Sequence, residues 1–183
     1  PKTIEAYVST TDTSPQFAVQ LGEIATNKTF ALRTISGKLS FMGFSNDVQS
    51  NISINDGNVH RVAISYDGSR LRLFVNGTLV DEEENSGTTV LGDWQPYIGN
   101  AENNTEGFNG YLSHIHISSS SLSSNFTPSI PEVHSQTIAY WSSQGTGLDI
   151  MDGSSNNYDG IINGATWVDT CPSEDLDGDG VAT

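Results

Sequence analysis

The apolar residues of this chain return at every second position, and no stretch sustains the spacing of a helical stripe. Ile4, Ala6 and Val8 alternate with Thr3, Glu5 and Tyr7; Phe17, Val19 and Leu21 repeat the pattern, as do Leu39 with Phe41 and Ile52 with Ile54. Successive side chains of an extended chain point to opposite faces, so this period builds strands that bury one side. From Val59 to Tyr66, Val62 and Ile64 face one way; Leu71, Leu73 and Val75 share a face opposite Arg70, Arg72 and Phe74. Asp67-Gly68-Ser69 separates these two stretches and Asn76-Gly77 follows the second. Both are hairpin turns, because Gly after Asn or Asp takes positive φ at little cost. Turn residues recur about every 8–12 positions, so the expectation is an all-β protein: an antiparallel two-sheet β-sandwich.

Other segments carry other signatures. Residues 82–87 are an acidic run read as a solvated hairpin end, and residues 81–84 as a turn. Residues 118–124 are rich in Ser and should make at most one short turn across the sandwich edge. Pro128 and Pro131 bracket a connector, apolar segments resume at residues 138–141 and at Ile161-Ile162, and a boundary falls near Cys171.

The 183 residues suit one sandwich with a short remainder. The 22 acidic against 7 basic residues give a net charge of -15, which excludes nucleic acid as a partner: nothing here could neutralise phosphates. The same imbalance disfavours anionic membranes, and no apolar run is long enough for membrane insertion. Clustered carboxylates do attract divalent cations. Cys171 is the only cysteine, so no internal disulfide framework exists. No signal peptide is present, and the start at Pro1-Lys2-Thr3 is that of a piece of a longer protein. The sequons at Asn27, Asn51, Asn76, Asn103 and Asn125 are explained by chance in a chain so rich in Asn, Ser and Thr.

Asn58-Val59-His60-Arg61-Val62-Ala63-Ile64-Ser65-Tyr66-Asp67-Gly68, continuing to Leu73-Phe74-Val75-Asn76-Gly77, resembles the central hairpin of laminin-G-like (concanavalin-A-like lectin/glucanase) domains. Thr3-Ile4-Glu5-Ala6-Tyr7-Val8 resembles the early family strand; Tyr97-Ile98-Gly99-Asn100 and Phe108-Asn109-Gly110-Tyr111-Leu112 resemble the late ones. Tyr140-Trp141, the Asp152-Gly153-Ser154-Ser155-Asn156 run, and Gly160 to Trp167 resemble the closing segment of bacterial members. The resemblance spans residues 1–168 and implies a concanavalin-A-like jelly roll on a secreted or cell-surface, multidomain protein. Its implied partners are a polysaccharide or glycan, another extracellular protein, and other domains of the same polypeptide. Val59 replaces a usual Trp, and Ser113-His114 stands where Asp-Glu is common. The strand that normally precedes Ile4 is absent: either the chain is clipped, or the late segment around Trp141 or Trp167 fills its place.

Residues 169–183 resemble part of a thrombospondin type 3 repeat. Asp175, Asp177 and Asp179 alternate through a Gly-containing loop, which aims three carboxylates at one hard cation, calcium; a disordered acidic tail is the alternative. Asp152, Ser154, Asn156 and Asp159 set oxygens at similar intervals around Gly153 and Gly160. That spacing suits calcium, or an Asx-rich turn whose side chains cap their own backbone.

Sugar rings stack their C–H faces on exposed aromatics while Asn and Asp read the hydroxyls. Asp93 and Trp94 precede a loop carrying Asn100, Asn103 and Asn104, so these five form a candidate recognition rim. Tyr97 and Phe108 beside it, and Trp141 and Trp167 further on, read as core. Catalysis is not expected, because no predicted strand carries the Glu-x-Asp-x-x-Glu pair of carboxylates that glycosidases of this fold use. His114 and His116 share a strand face and could take a metal, but read as surface polar positions. The functional expectation is a carbohydrate-binding or adhesive module; a structural spacer or protein-adhesion domain without a sugar site is the alternative.

Overall fold

The structure, a computed structural model, describes residues 1–84, 95–142 and 145–168, and no helix occurs among them. Strands β1 (Lys2–Ser9), β6 (His60–Tyr66), β7 (Arg70–Val75), β8 (Thr78–Glu84), β10 (Tyr111–Ser118) and β11 (Thr137–Trp141) form one antiparallel sheet. Its order is β11-β10-β1-β6-β7-β8. The second sheet, β5-β4-β3-β2-β9, is built from β2 (Gln16–Gly22), β3 (Thr29–Ile35), β4 (Lys38–Met42), β5 (Val48–Ser53) and β9 (Pro96–Ile98). A short ribbon of β12 (Asp149–Ile150) and β13 (Gly160–Ile161) follows.

The inward positions of the two sheets make one continuous core. Ile4, Ala6, Val62, Ile64, Leu71, Leu73, Ile115 and Ile117 from the first sheet meet Val19, Leu21, Phe30, Leu32, Leu39 and Phe41 from the second. The two-residue alternation thus does what it implies: each sheet gives one face to the other. The hairpins fall where Gly permits them, with Asn76 and Gly77 at φ 48° and 74°. Ile52 departs from the pattern. It is 44% exposed while Ile54 is buried, because the β4–β5 register slips between Lys38 and Ser40 and puts the two isoleucines on different sides.

β11 settles the question of the missing strand. It pairs with β10 at the edge of the first sheet, Ile115 opposite Trp141 and Ile117 opposite Ala139, so the late segment occupies that place. Trp141 is 2% exposed and donates its Nε1–H to the Tyr158 carbonyl at 2.9 Å.

Two acidic or Ser-rich segments differ from expectation. Residues 81–84 belong to β8 rather than to a turn, because Arg70 and Arg72 lie opposite and supply counter-charge: Glu82 pairs with both. Residues 119–136 do not skirt the edge but cross the outer face of the first sheet as an irregular strap. The strap is anchored where the Phe126 N–H donates to the Gly77 carbonyl and the Phe126 ring meets Phe74. Gly77 is required there, since a Cβ would stand 2.0 Å from the Phe126 carbonyl oxygen.

Candidate functional site

The outer face of the second sheet carries two cross-strand rows. Tyr97, Gln20, Ala31 and Met42 stand side by side, and so do Phe17, Arg33 and Ser40. A bulge between Phe17 and Val19 turns Phe17 outward, where it forms a small apolar cluster with Ala31 and Ala101. The guanidinium of Arg33 lies over the Phe17 ring at 5.5 Å and pairs with Glu106 at 3.5 Å. Its Nε is buried without a partner among the described residues.

The segment from Gly99 to Asn109 folds back over this face and is fastened to β2 along its length. Phe17 N–H donates to the Glu106 carbonyl, Glu102 N–H to Gln20 Oε1 and Asn109 N–H to Gln16 Oε1, at 2.9, 3.1 and 2.6 Å. Phe108 N–H closes the loop onto the Gly99 carbonyl at 2.8 Å. Asn109 Nδ2 reaches Asp12, whose carboxyl is held down at about 2 by donors from Ser14 and so stays ionised. Asn104 and Glu106 sit at φ 56° and 57°. Asn tolerates that region; Glu does so at a cost of roughly 1–2 kcal/mol, which its contacts with Phe17 and Arg33 offset. The result is a loop fastened to β2 with exposed Glu102, Asn103, Asn104 and Thr105 at its tip.

Of the proposed rim residues, Asn100, Asn103 and Asn104 lie together on this loop. Asn100 Oδ1 accepts from Ala101 N–H and Asn103 Oδ1 from Thr105, so both oxygens shape the loop. Asp93 and Trp94 lie outside the described residues. Tyr97 is half-buried on the outer face rather than in the core, since it pairs with Gln20 and not with an inward residue. Phe108 packs partly against the core. Trp167 is not core either: it stands over Gly145 and donates to the Gly147 carbonyl at 2.8 Å, half-exposed.

Asp152, Ser154, Asn156 and Asp159 are brought together, in the geometry of a self-capping turn. Asp152 Oδ1 accepts from the N–H groups of Tyr140 and Ser154, at 2.8 and 2.9 Å. Its Oδ2 accepts from Tyr158 N–H and Ser154 Oγ–H, at 2.9 and 2.6 Å. Asp159 caps the N–H of Asp152, and the Asn156 amide donates to Ile138. Burial pushes the Asp152 carboxyl up, and these donors outweigh it, holding it below the usual 3.8. A cation taking either oxygen would compete with the two donors already on it. Asp152→Ala should therefore cost about 2–3 kcal/mol of stability whether or not calcium is present, because several partly buried N–H groups lose their acceptor. Melting in calcium and in chelator checks this; a loss seen only with calcium would show a cation site instead. Asp175, Asp177 and Asp179 lie outside the described residues.

The outer face of the first sheet is polar yet buried. Glu5, Arg61 and His116 are 5%, 8% and 2% exposed beneath the strap. Arg61 and Glu5 form an ion pair; His116 contacts Glu5 through Nδ1 at 3.2 Å and Thr137 through Nε2 at 2.9 Å. His114 contacts Tyr140 at 2.9 Å. The two histidines are thus interior groups rather than surface ones, because the strap and β11 cover them. Among the described residues no group of three or more His, Cys, Asp or Glu side chains is placed to hold a metal. The alternation of β1, β6 and β10 identified these positions only as outward-facing. The one signal in the sequence was charged or imidazole side chains inside otherwise apolar strands.

Residues 2–125, more than half of the chain, match the family described as the concanavalin A-like lectin/glucanases superfamily. The chain belongs to that superfamily. No curated protein sequence matches this superfamily member significantly. Among solved structures it is similar to a candidate carbohydrate binding protein from Bacteroides ovatus ATCC 8483, with a TM-score of 0.71 at 17% identity. That match covers 90% of this chain and 52% of the other, so this chain spans about half its length. It is also similar to the CBM40 of a Ruminococcus gnavus IT-sialidase in complex with α2,3-sialyllactose, with a TM-score of 0.57 at 15% identity, covering 67% and 77% of the two chains. Domains LG4-5 of the mouse laminin α1 chain match with a TM-score of 0.52 at 18% identity, covering 66% and 36%. At these identities the likeness establishes the fold. No helix among the described residues is long and apolar enough to cross a membrane.

Proposed function

We infer that this lectin/glucanase-superfamily domain is a carbohydrate-binding module that recognises a glycan at the loop spanning residues 99–109. The observation that carries the reading is the fastening of that loop to β2. Its polar tip is held in place before any ligand arrives, so binding need not order it. Superfamily membership and the carbohydrate-binding neighbours support the choice of ligand. Secretion, calcium binding by Asp175, Asp177 and Asp179, and stacking on Trp94 belong to the same proposal. So does a role without chemistry: Glu82 of β8 is spent on Arg70 and Arg72, and Glu5 is spent on Arg61 and His116.

Asn103→Ala combined with Asn104→Ala should weaken glycan binding about tenfold, the loss of one or two hydrogen bonds. Since Asn103 also caps Thr105 and Asn104 sits at φ 56°, the loop tip loses roughly 1–2 kcal/mol of local stability. Unshifted core-sheet NMR signals check that the sandwich itself stays intact. A glycan array run in calcium and in chelator, on parent and double variant, tests the function and its metal dependence. The laminin neighbour favours protein adhesion as a second reading; an array blank under both conditions would select it.

A further inference from the structure

On the opposite side of the sandwich, a cavity of about 270 Å³ lies between the first sheet and the strap. Glu5, Arg61 and His116 form its floor; Ile130, Glu132 and His134 stand around its mouth, with Ser129 and Pro131 between. The size is near the lower end of small-molecule sites, which begin at about 300 Å³, so it admits one small molecule and not a chain.

The groups that still have hydrogen-bonding capacity define the chemistry. Arg61 gives one nitrogen to Glu5 and another to the Ser129 carbonyl, and its guanidinium lies 4.6 Å from the Phe126 ring. Its Nε–H is buried with no partner among the described residues. That nitrogen is closed off from the cavity, so the donor a ligand can reach lies on the histidine at the mouth. His134 accepts the Gln136 N–H on Nδ1 at 3.1 Å, so its Nε2 carries a proton and is that donor. Acceptors are close by in the carboxylates of Glu5 and Glu132 and in the Ser129 carbonyl. Ile130, 40% exposed, and Pro131 add an apolar strip.

Charge decides between ligand classes. The formal charges of Glu5, Glu132 and Arg61 leave the pocket slightly negative within a chain of net charge -15, which repels anions. A lone cation would leave the His134 donor unmet and the Ile130–Pro131 strip uncovered. A molecule whose hydroxyls both donate and accept, and which has a C–H face, satisfies donors, acceptors and apolar strip together. We propose that this cavity is a second binding site, taking a single neutral sugar ring or similar polyol between the first sheet and the strap. The location stands on the cavity and its lining alone; the choice of sugars as probes rests on the carbohydrate reading above.

The test is a heteronuclear NMR titration with galactose, glucose, N-acetylglucosamine and glycerol singly, with acetate and methylammonium as charged controls. A neutral probe should shift the Arg61 Nε–H and the His116 and His134 ring signals together. His134→Ala should weaken that binding about tenfold, and Ile130→Trp, which fills the mouth from an exposed position, should abolish it; unchanged melting confirms that both fold. The Asn103→Ala, Asn104→Ala protein should keep the response, which separates this site from the loop. The proposal is overturned if no neutral probe shifts the three signals, if only the charged controls do, or if the loop variants abolish the response.

Discussion

Arg61→Ala should destabilise this domain by about 3–5 kcal/mol, since it strips the counter-charge from a carboxylate that stays buried. In a domain of this length that lowers the melting temperature by roughly 10 °C. Glu5 lies under the strap with its oxygens on Arg61 and His116, and the Ser129 carbonyl holds the Arg61 guanidinium in place beside it. Pairing the change with Glu5→Gln should recover much of the loss, because no lone charge then remains. The same cluster sets the acid limit. Burial pushes the Glu5 carboxyl up, but the His116 hydrogen bond and the Arg61 charge outweigh it, so its folded pKa lies below the ordinary 4.5. A depressed folded value means the stabilisation is complete above the unfolded pKa and disappears as pH falls through the folded one. Thermal midpoints should therefore hold near neutrality and fall as pH drops below about 4.5. In Glu5→Gln that part of the acid dependence should vanish. An Arg61→Ala protein melting with the parent would show that the strap does not seal the pair.

Trp141→Ala should cost a comparable 3–5 kcal/mol, the range for deleting a large buried aromatic. Trp141 is among the largest fully buried side chains and belongs to the core although it lies late in the chain. Trp141→Phe should lose less, because the ring stays and only the Nε1 bond to Tyr158 and some volume go. Denaturant unfolding of both variants gives the figures. If Trp141→Ala unfolds at the parental midpoint, β11 is not part of the sheet as described.

These two expectations also mark where the sequence is legible. Hairpins β6–β7 and β7–β8 follow from Asp67-Gly68 and Asn76-Gly77 because turn chemistry is local and the alternation on either side sets the register. The place of β11 is not local: its pairing partner lies across the strap, and nothing within residues 137–141 says which edge it joins. The strap is likewise invisible to a periodic pattern. Glu5, Arg61 and His116 read as ordinary outward positions, and only a segment more than ten residues away in sequence turns them into an interior cluster. Residues 81–84 look like a turn in isolation and become a strand once Arg70 and Arg72 face them.

The site was legible in the same partial way. Asn100, Asn103 and Asn104 do share a loop, as their spacing suggests. What spacing cannot show is that Glu106, Gln16 and Gln20 pin that loop over the outer face, or that Arg33 waits beneath it with an unmet Nε. The loop at Asp152 carries the opposite lesson. One set of oxygens serves a cation or a turn, and the melting of Asp152→Ala in calcium and in chelator chooses between them.

The central claim is that the loop over the second sheet recognises a glycan, and an NMR footprint of a glycan selected on the array tests it most directly. Perturbations should concentrate on residues 99–109, with Tyr97 and the Arg33 side chain included, and the binding should weaken about tenfold in the Asn103→Ala, Asn104→Ala protein. A footprint lying wholly elsewhere on the sandwich, or binding unchanged in that protein, would contradict it.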